Sequence, residues 1–232
     1  PICILPVRLL HRLSSSCSIQ KQNSYYTRTI FLQNYLHGQS SSKIKIDFKK
    51  KENLITFVGK LNISKGYDIY KQAIIKILNE FKDWSAYSIG DESRQRPVIN
   101  HVNHKELGFL SHKEVLSFLS TSEIAVIPSR WEEPFGRTAL EASSRACATI
   151  ISNKGGLSET TDHCIVLKNL NSKELYTQIK KLIINKNLRK DLQKKGFRNV
   201  KHITKVNSKR IDFIRKNVLQ KFNLNIIRNR LR

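Results

Sequence analysis

From Asn53 onward the chain alternates short, uniformly apolar runs with segments whose apolar residues recur at helical spacing, and this rhythm narrows its fold more than any other feature. Leu54-Ile55-Thr56-Phe57-Val58 reads as a buried strand ended by Gly59. Ile69, Ala73, Ile74, Ile77, Leu78 and Phe81 then fall on one face of a helix. Ala86 to Ile89 is a second strand, closed by Gly90-Asp91. Ser111 and Glu114 have the spacing of a capping box ahead of Val115, Leu116 and Leu119. Ile124 to Ile127 is the next strand, stopped by Pro128, and a helix is predicted from about Phe135 to Ala146. Strands at Thr149 to Ser152 and Ile165 to Leu167 flank a Gly155-Gly156 turn, and Asn171 with Glu174 opens a helix bearing Leu175, Ile179, Leu182 and Ile183. Strands alternating with helices predict an α/β fold: a Rossmann-like parallel sheet with helices on both faces. Such sheets bind ligands at the carboxyl ends of their strands, where each unusual polar cluster of this sequence falls.

Charge matters here by its location. The 232 residues carry 42 Lys and Arg against 18 Asp and Glu, a net +24. Residues 53–168 hold 14 basic and 13 acidic side chains, whereas residues 1–52 hold 9 and 2 and residues 169–232 hold 19 and 3. The excess therefore lies in the flanks and the middle is nearly neutral. Nucleic-acid domains concentrate base on a reading surface beside aromatics or a known motif, and neither is found, so no nucleic-acid partner is expected. Basic flanks suit peripheral contact with an anionic membrane surface, or reflect a plain Lys- and Asn-rich composition. No apolar stretch approaches the length of a membrane-spanning helix. Pro1 to Leu13, interrupted by Arg8 and Arg12, makes a poor signal peptide. Cys3, Cys17, Cys147 and Cys164 show no metal-ligand or redox spacing, which fits free thiols in a reducing cytoplasm, the expected location.

Two clusters carry chemistry. Gly59-Lys60-Leu61-Asn62-Ile63-Ser64-Lys65-Gly66 joins a strand to a helix and brings two ammonium groups to a helix start, where the dipole already favours anions such as a diphosphate. The glycine spacing and Lys-Ser/Thr ending of a phosphate-binding P-loop are missing, and two loop lysines taken alone are more often solvated than functional. In the second cluster, Glu133 follows a strand and Glu141 lies eight residues later, about two turns into the predicted helix. Between them Pro134 stiffens the loop, and the amides of Phe135, Gly136 and Arg137 sit at the helix start with no internal partner. Two carboxylates flanking such an end suit the hydroxyls of a sugar, which need acceptors as well as donors. Glu141 could instead be a solvated helix residue, but Ala139, Leu140 and Ala142 surround it with apolar neighbours.

The order Phe57-Val58-Gly59-Lys60 with Lys65-Gly66, Ile89-Gly90-Asp91, Leu107-Gly108-Phe109-Leu110, Glu133-Pro134-Phe135-Gly136-Arg137 with Leu140-Glu141-Ala142, and Gly155-Gly156-Leu157-Ser158-Glu159 resembles the C-terminal domain of glycosyltransferase family 4. The resemblance covers about residues 53–200. It implies half of a GT-B fold and a retaining, metal-independent transferase whose C-terminal domain binds a nucleoside diphosphate-sugar as co-substrate. Carried over by position, Lys60 (usually Arg in the family) and Lys65 would neutralise the diphosphate and support catalysis with Glu133. Glu133 and the amides of Phe135, Gly136 and Arg137 would hold the sugar. Glu141 would accept from the ribose, Gly59 and Gly66 would shape the phosphate loop, and Gly90, Gly108, Phe109 and Leu110 would line the nucleobase slot.

The acceptor, a lipid or a saccharide, is expected to sit on the family's N-terminal domain. Residues 1–52 read as a remnant of that domain with a linker at Ser40 to Ser42 and Lys49 to Lys51, and residues 201–232 as a basic helical tail. Thr29 to Leu32 reads as a strand of the remnant. This chain is accordingly expected either to transfer sugar to a lipid, polysaccharide or other acceptor, or to act as a nucleotide-sugar-binding half that needs a separate acceptor domain.

Overall fold

A computed structural model describes residues 46–200, apart from Gln95 and Thr161; the strand expected at Thr29 to Leu32 and the tail 201–232 lie outside the described residues. Among them, six parallel strands form one sheet: β1 (Glu52–Val58), β2 (Ser85–Ile89), β3 (His104–Glu106), β4 (Ser122–Ile127), β5 (Ala148–Ser152) and β6 (Ile165–Leu167). Between them run α1 (Tyr67–Glu80), α2 (His112–Thr121), α3 (Arg137–Ser144), the short α4 (Leu157–Thr160) and α5 (Ser172–Ile184), followed by a helix α6 from 186 to the last described residue.

Strand residues alternate between two cores. Ile55, Phe57, Ile124, Val126, Ala148 and Ile150 pack with α1 and α5 on one face. Ala125, Ile127 and Ile151 pack with α2, α3 and α4 on the other. Every residue of β4 and β5 is buried, and their centres, Ile124 to Ile127 and Ile150-Ile151, are apolar. Each fully buried Ile or Leu contributes about 1.5–3 kcal/mol relative to exposure, so the two layers supply most of the driving force.

The strand order is β3-β2-β1-β4-β5-β6. Its direction of growth reverses between β1 and β4, the switch point at whose carboxyl edge open sheets of this kind bind ligands. Two expectations shift. The helix predicted from about Phe135 begins at Arg137, because Gly136 takes the left-handed conformation (φ 69°) and breaks the helical run, leaving Glu141 little more than one turn in. Lys49 and Lys50 belong to a short 3-10 turn (Phe48–Lys50), and Lys51 is anchored under the sheet, so this stretch is not a free linker.

Candidate functional site

The loop after β1 and the loop after β4 are stitched together by backbone. The N–H groups of Arg130 and Trp131 donate to the Ser64 carbonyl at 2.9 and 3.1 Å. Arg130 also forks onto Asp68, with Nη1 at 2.5 Å and Nη2 at 2.7 Å from the two carboxylate oxygens. Burial alone would raise the Asp68 pKa, but the Arg130 hydrogen bonds outweigh it and hold the carboxyl below its usual range. Gly66 lies at the junction with φ +73°, and a Cβ there would sit 2.0 Å from the Pro128 carbonyl oxygen, so no other residue lets α1 start this close to the β4 loop.

The loop after β2 joins the same edge. Asn62 Nδ2 donates to Glu92 Oε2 at 2.8 Å, and Arg94 grips the same carboxylate at 2.9 and 3.0 Å. These bonds, Arg94 first, pull the Glu92 pKa down to about 2. Gly90 meets Gly59 so closely that a Cβ would lie 1.9 Å from the Gly59 carbonyl oxygen, and its N–H donates to the Gly108 carbonyl at 2.8 Å. The stretches containing Gly59, Gly90 and Gly108 are therefore in direct contact. Phe109 presents an exposed ring beside them, while Leu110 packs partly against the α2–α3 core.

Lys65 and Glu133, placed by sequence on different parts of one ligand, pair with each other: Lys65 Nζ lies 2.5 Å from Glu133 Oε1. The Ser129 hydroxyl donates to the same oxygen at 2.9 Å. Behind Glu133, the N–H of Gly156 donates to its carbonyl at 2.6 Å and that of Gly155 to the Glu132 carboxylate at 2.6 Å. The Gly-Gly turn thus fixes the glutamate loop from below, a role its sequence did not announce. Lys60 is exposed on the loop after β1.

Glu141 is buried, with 4% of its surface accessible. Its Oε1 lies 3.3 Å from His112 Nε2 and 3.5 Å from Arg137 Nε, yet makes no hydrogen bond. A buried carboxylate oxygen without a hydrogen bond costs about 1–3 kcal/mol, which the two nearby basic side chains offset in part. Next to it α3 starts from Gly136 with no side-chain cap, Arg137 is exposed and Phe135 half-buried. The carboxyl edge of the sheet therefore carries Lys65, two carboxylates and an uncapped helix start, residue types suited to a group with phosphate at one end and hydroxyls at the other. Sequence reasoning missed Ser129, His112 and the Arg130–Asp68 fork; only the position of Ser129 and Arg130 just past a strand hinted at them. Among the described residues no group of three or more His, Cys, Asp and Glu is placed to hold a metal ion.

A family model described as glycosyl transferases group 1 matches residues 39–199. The chain belongs to this family. It is 31% identical over 133 residues to an uncharacterized glycosyltransferase of Methanocaldococcus jannaschii, a match covering 51% of this chain and 33% of that protein. The chain thus spans about a third of the length of that relative. Among solved structures, this glycosyltransferase domain superposes on Anabaena HepE in complex with UDP-glucose with a TM-score of 0.60 at 14% identity, over 80% of this chain and 52% of that one. It also superposes on the C-terminal domain of the group 1 glycosyltransferase LpcC from Francisella tularensis with a TM-score of 0.55 at 22% identity, over 64% and 85%. The fold is that of one half of a GT-B transferase.

Proposed function

We propose that the chain is the donor-binding part of a retaining, metal-independent hexosyltransferase of glycosyltransferase family 4, taking sugar from a nucleoside diphosphate-sugar. The observation that carries this reading is the buried, hydrogen-bond-deficient Glu141 beside the uncapped start of α3, at the same carboxyl edge of the sheet as the Lys65–Glu133 pair. The UDP-glucose held by Anabaena HepE supports a donor of this class.

In this reading Glu141 accepts from the ribose, and Lys65 with Lys60 faces the diphosphate. Lys60 supplies a point charge where a guanidinium fork is usual, which weakens the grip without changing the role. Glu133 turns its second carboxylate oxygen to a sugar hydroxyl, its first being taken by Lys65 and Ser129. As the glycosidic bond breaks, negative charge gathers on the leaving diphosphate. Lys60, Lys65 and the amides of Phe135, Gly136 and Arg137 form a preorganised cationic cradle for that charge. Gly59, Gly66 and Gly90 let the loops approach, and Phe109 and Leu110 flank the base.

Transfer to a lipid, polysaccharide or other acceptor belongs to the whole protein of which this domain is part. Turnover requires an apposed acceptor domain that aligns the attacking hydroxyl and excludes water. Calorimetry of the full chain with UDP, UDP-glucose and their guanine and adenine counterparts, each with and without a chelator, tests the reading. At least one nucleoside diphosphate and its sugar conjugate bind equally well in chelator. No heat from any of them at millimolar ligand overturns the donor assignment, and a manganese requirement overturns metal independence.

A further inference from the structure

Helix α6 crosses the amino edge of the sheet, the edge opposite the one proposed to bind the donor. Arg189, Gln193, Gly196 and Val200 recur at helical spacing along it and are buried. Arg189 Nε and Gln193 Nε2 reach the Glu123 carboxylate near the start of β4 at 3.1 and 2.5 Å. Asn199 Nδ2 reaches Asp162, ahead of β6, at 2.9 Å. One face of α6 is thereby fixed against the domain, and the rest is left to solvent. Lys186, Lys190, Lys194 and Arg198 recur there at every fourth position, and all four are exposed. They span about 18 Å at the helical rise. Side chains four apart are neighbours on a helix, so three like-charged pairs stand in a row, which destabilises the helix unless an anion relieves them. Among the described residues none of the four has an ion pair, and Asp191, the only acid of the described helix, is taken by Lys195 at 2.8 Å. Two residues before Lys186, Ile184 is 65% exposed. A row of unpaired cations next to an exposed aliphatic side chain complements an anionic lipid surface: headgroup charge relieves the repulsion and the isoleucine enters the interface.

We propose that the exposed face of α6, with Ile184 at its head, docks this domain on an anionic phospholipid bilayer and leaves the donor-binding edge free. This docking does not depend on the donor reading, because none of its residues belongs to the proposed donor site.

The test is co-sedimentation of the full chain with vesicles of phosphatidylcholine, alone or with about a quarter phosphatidylglycerol, at about 0.1 M salt. The mixed vesicles are expected to bind the chain and the plain ones not, with binding falling as salt rises. The triple variant Lys186→Gln, Lys190→Gln, Lys194→Gln weakens binding about a hundredfold, at roughly fivefold per cation, without lowering the urea midpoint or the UDP-glucose affinity. A second triple, Lys76→Gln, Lys105→Gln, Lys173→Gln, removes the same charge from exposed positions outside α6 and changes binding less than about threefold. Ile184→Gln weakens binding about fivefold. The docking face is overturned if the mixed vesicles do not bind, or if the two triples lose affinity equally, since net charge or the basic residues beyond 200 would then carry the attraction. It is also overturned if Ile184→Gln has no effect, or if duplex DNA binds more tightly than the vesicles and the α6 triple abolishes that binding, since the partner is then a nucleic acid. UDP-glucose failing to bind the native chain sinks the donor reading and leaves the docking face standing.

Discussion

At the amino edge of the sheet Lys51 gives its ammonium to the carbonyls of Leu119, Ser122 and Arg145 at 3.2, 2.6 and 2.7 Å, whereas at the carboxyl edge Glu141 keeps a buried oxygen with no hydrogen bond. The contrast extends to their neighbours. Glu123 near the amino edge takes Arg189 at 3.1 Å and Gln193 at 2.5 Å, and Arg189 also donates to the Leu182 carbonyl at 2.6 Å. At the carboxyl edge α3 starts without a side-chain cap. Both edges bury charge, which is costly unless it is paired and hydrogen-bonded. Where the protein satisfies the charge internally, the group ties elements together; where it leaves an oxygen without a hydrogen bond, the proposed function supplies the partner as a ligand. For these two charged groups burial is alike and the number of hydrogen bonds differs.

Lys51→Met tests the scaffold half and has the largest expected effect. Three carbonyls lose a charged donor, so stability to denaturant falls by about 3 kcal/mol. The folded fraction still binds nucleoside diphosphate normally. Weakened nucleotide binding at matched folded fraction would dissolve the contrast between the edges.

Glu141→Ala inverts the pattern. It removes a carboxylate that the fold leaves unsatisfied, so the denaturation midpoint moves much less than for Lys51→Met. Nucleoside diphosphate affinity falls by about 1.5–3 kcal/mol, the worth of a hydrogen bond to a charged group. Glu133→Ala sharpens the division further. It releases Lys65 and spares the plain diphosphate, but weakens the sugar-bearing donor by a similar amount. Titrations of both variants with UDP and UDP-glucose check this, and equal losses on the plain diphosphate would refute the separate roles.

The smallest effect concerns His104, whose Nε2 lies 2.8 Å from Ser88 Oγ. Burial lowers its pKa below the ordinary 6.5, with Glu106 acting in the opposite direction. Its contribution is whole above 6.5, where folded and unfolded chains both hold it neutral. As the pH falls through that value the unfolded chain takes the proton first, and stability is lost until the folded histidine titrates. Urea midpoints between about pH 7.5 and 5.5 should drop more for the native chain than for His104→Gln.

The sheet was legible because its central strands are buried on both faces and are mostly apolar at their centres. Two helix starts with side-chain caps declared themselves through Ser111 with Glu114 and Asn171 with Glu174. β3 did not: His104-Lys105-Glu106 lies at the edge of the described sheet, where charged residues guard an open ladder and leave no apolar pattern. Glu133 and Glu141 were legible by spacing and by the resemblance that spacing carries. Their states were not, since no local pattern foretells that Lys65, 68 residues away from Glu133 in sequence, closes onto it at 2.5 Å.

By itself the sequence determined the succession of strands and helices and the residues that stand just past each strand, because periodicity, caps and glycine turns act over a few neighbouring residues. The tertiary structure alone decided that β1 and β4 lie side by side with their loops joined, that Lys51 closes the amino edge, and that an oxygen of Glu141 is buried without a hydrogen bond. Those outcomes depend on strand order and on which distant groups meet in a low-dielectric interior, and both are set by packing the whole sheet at once.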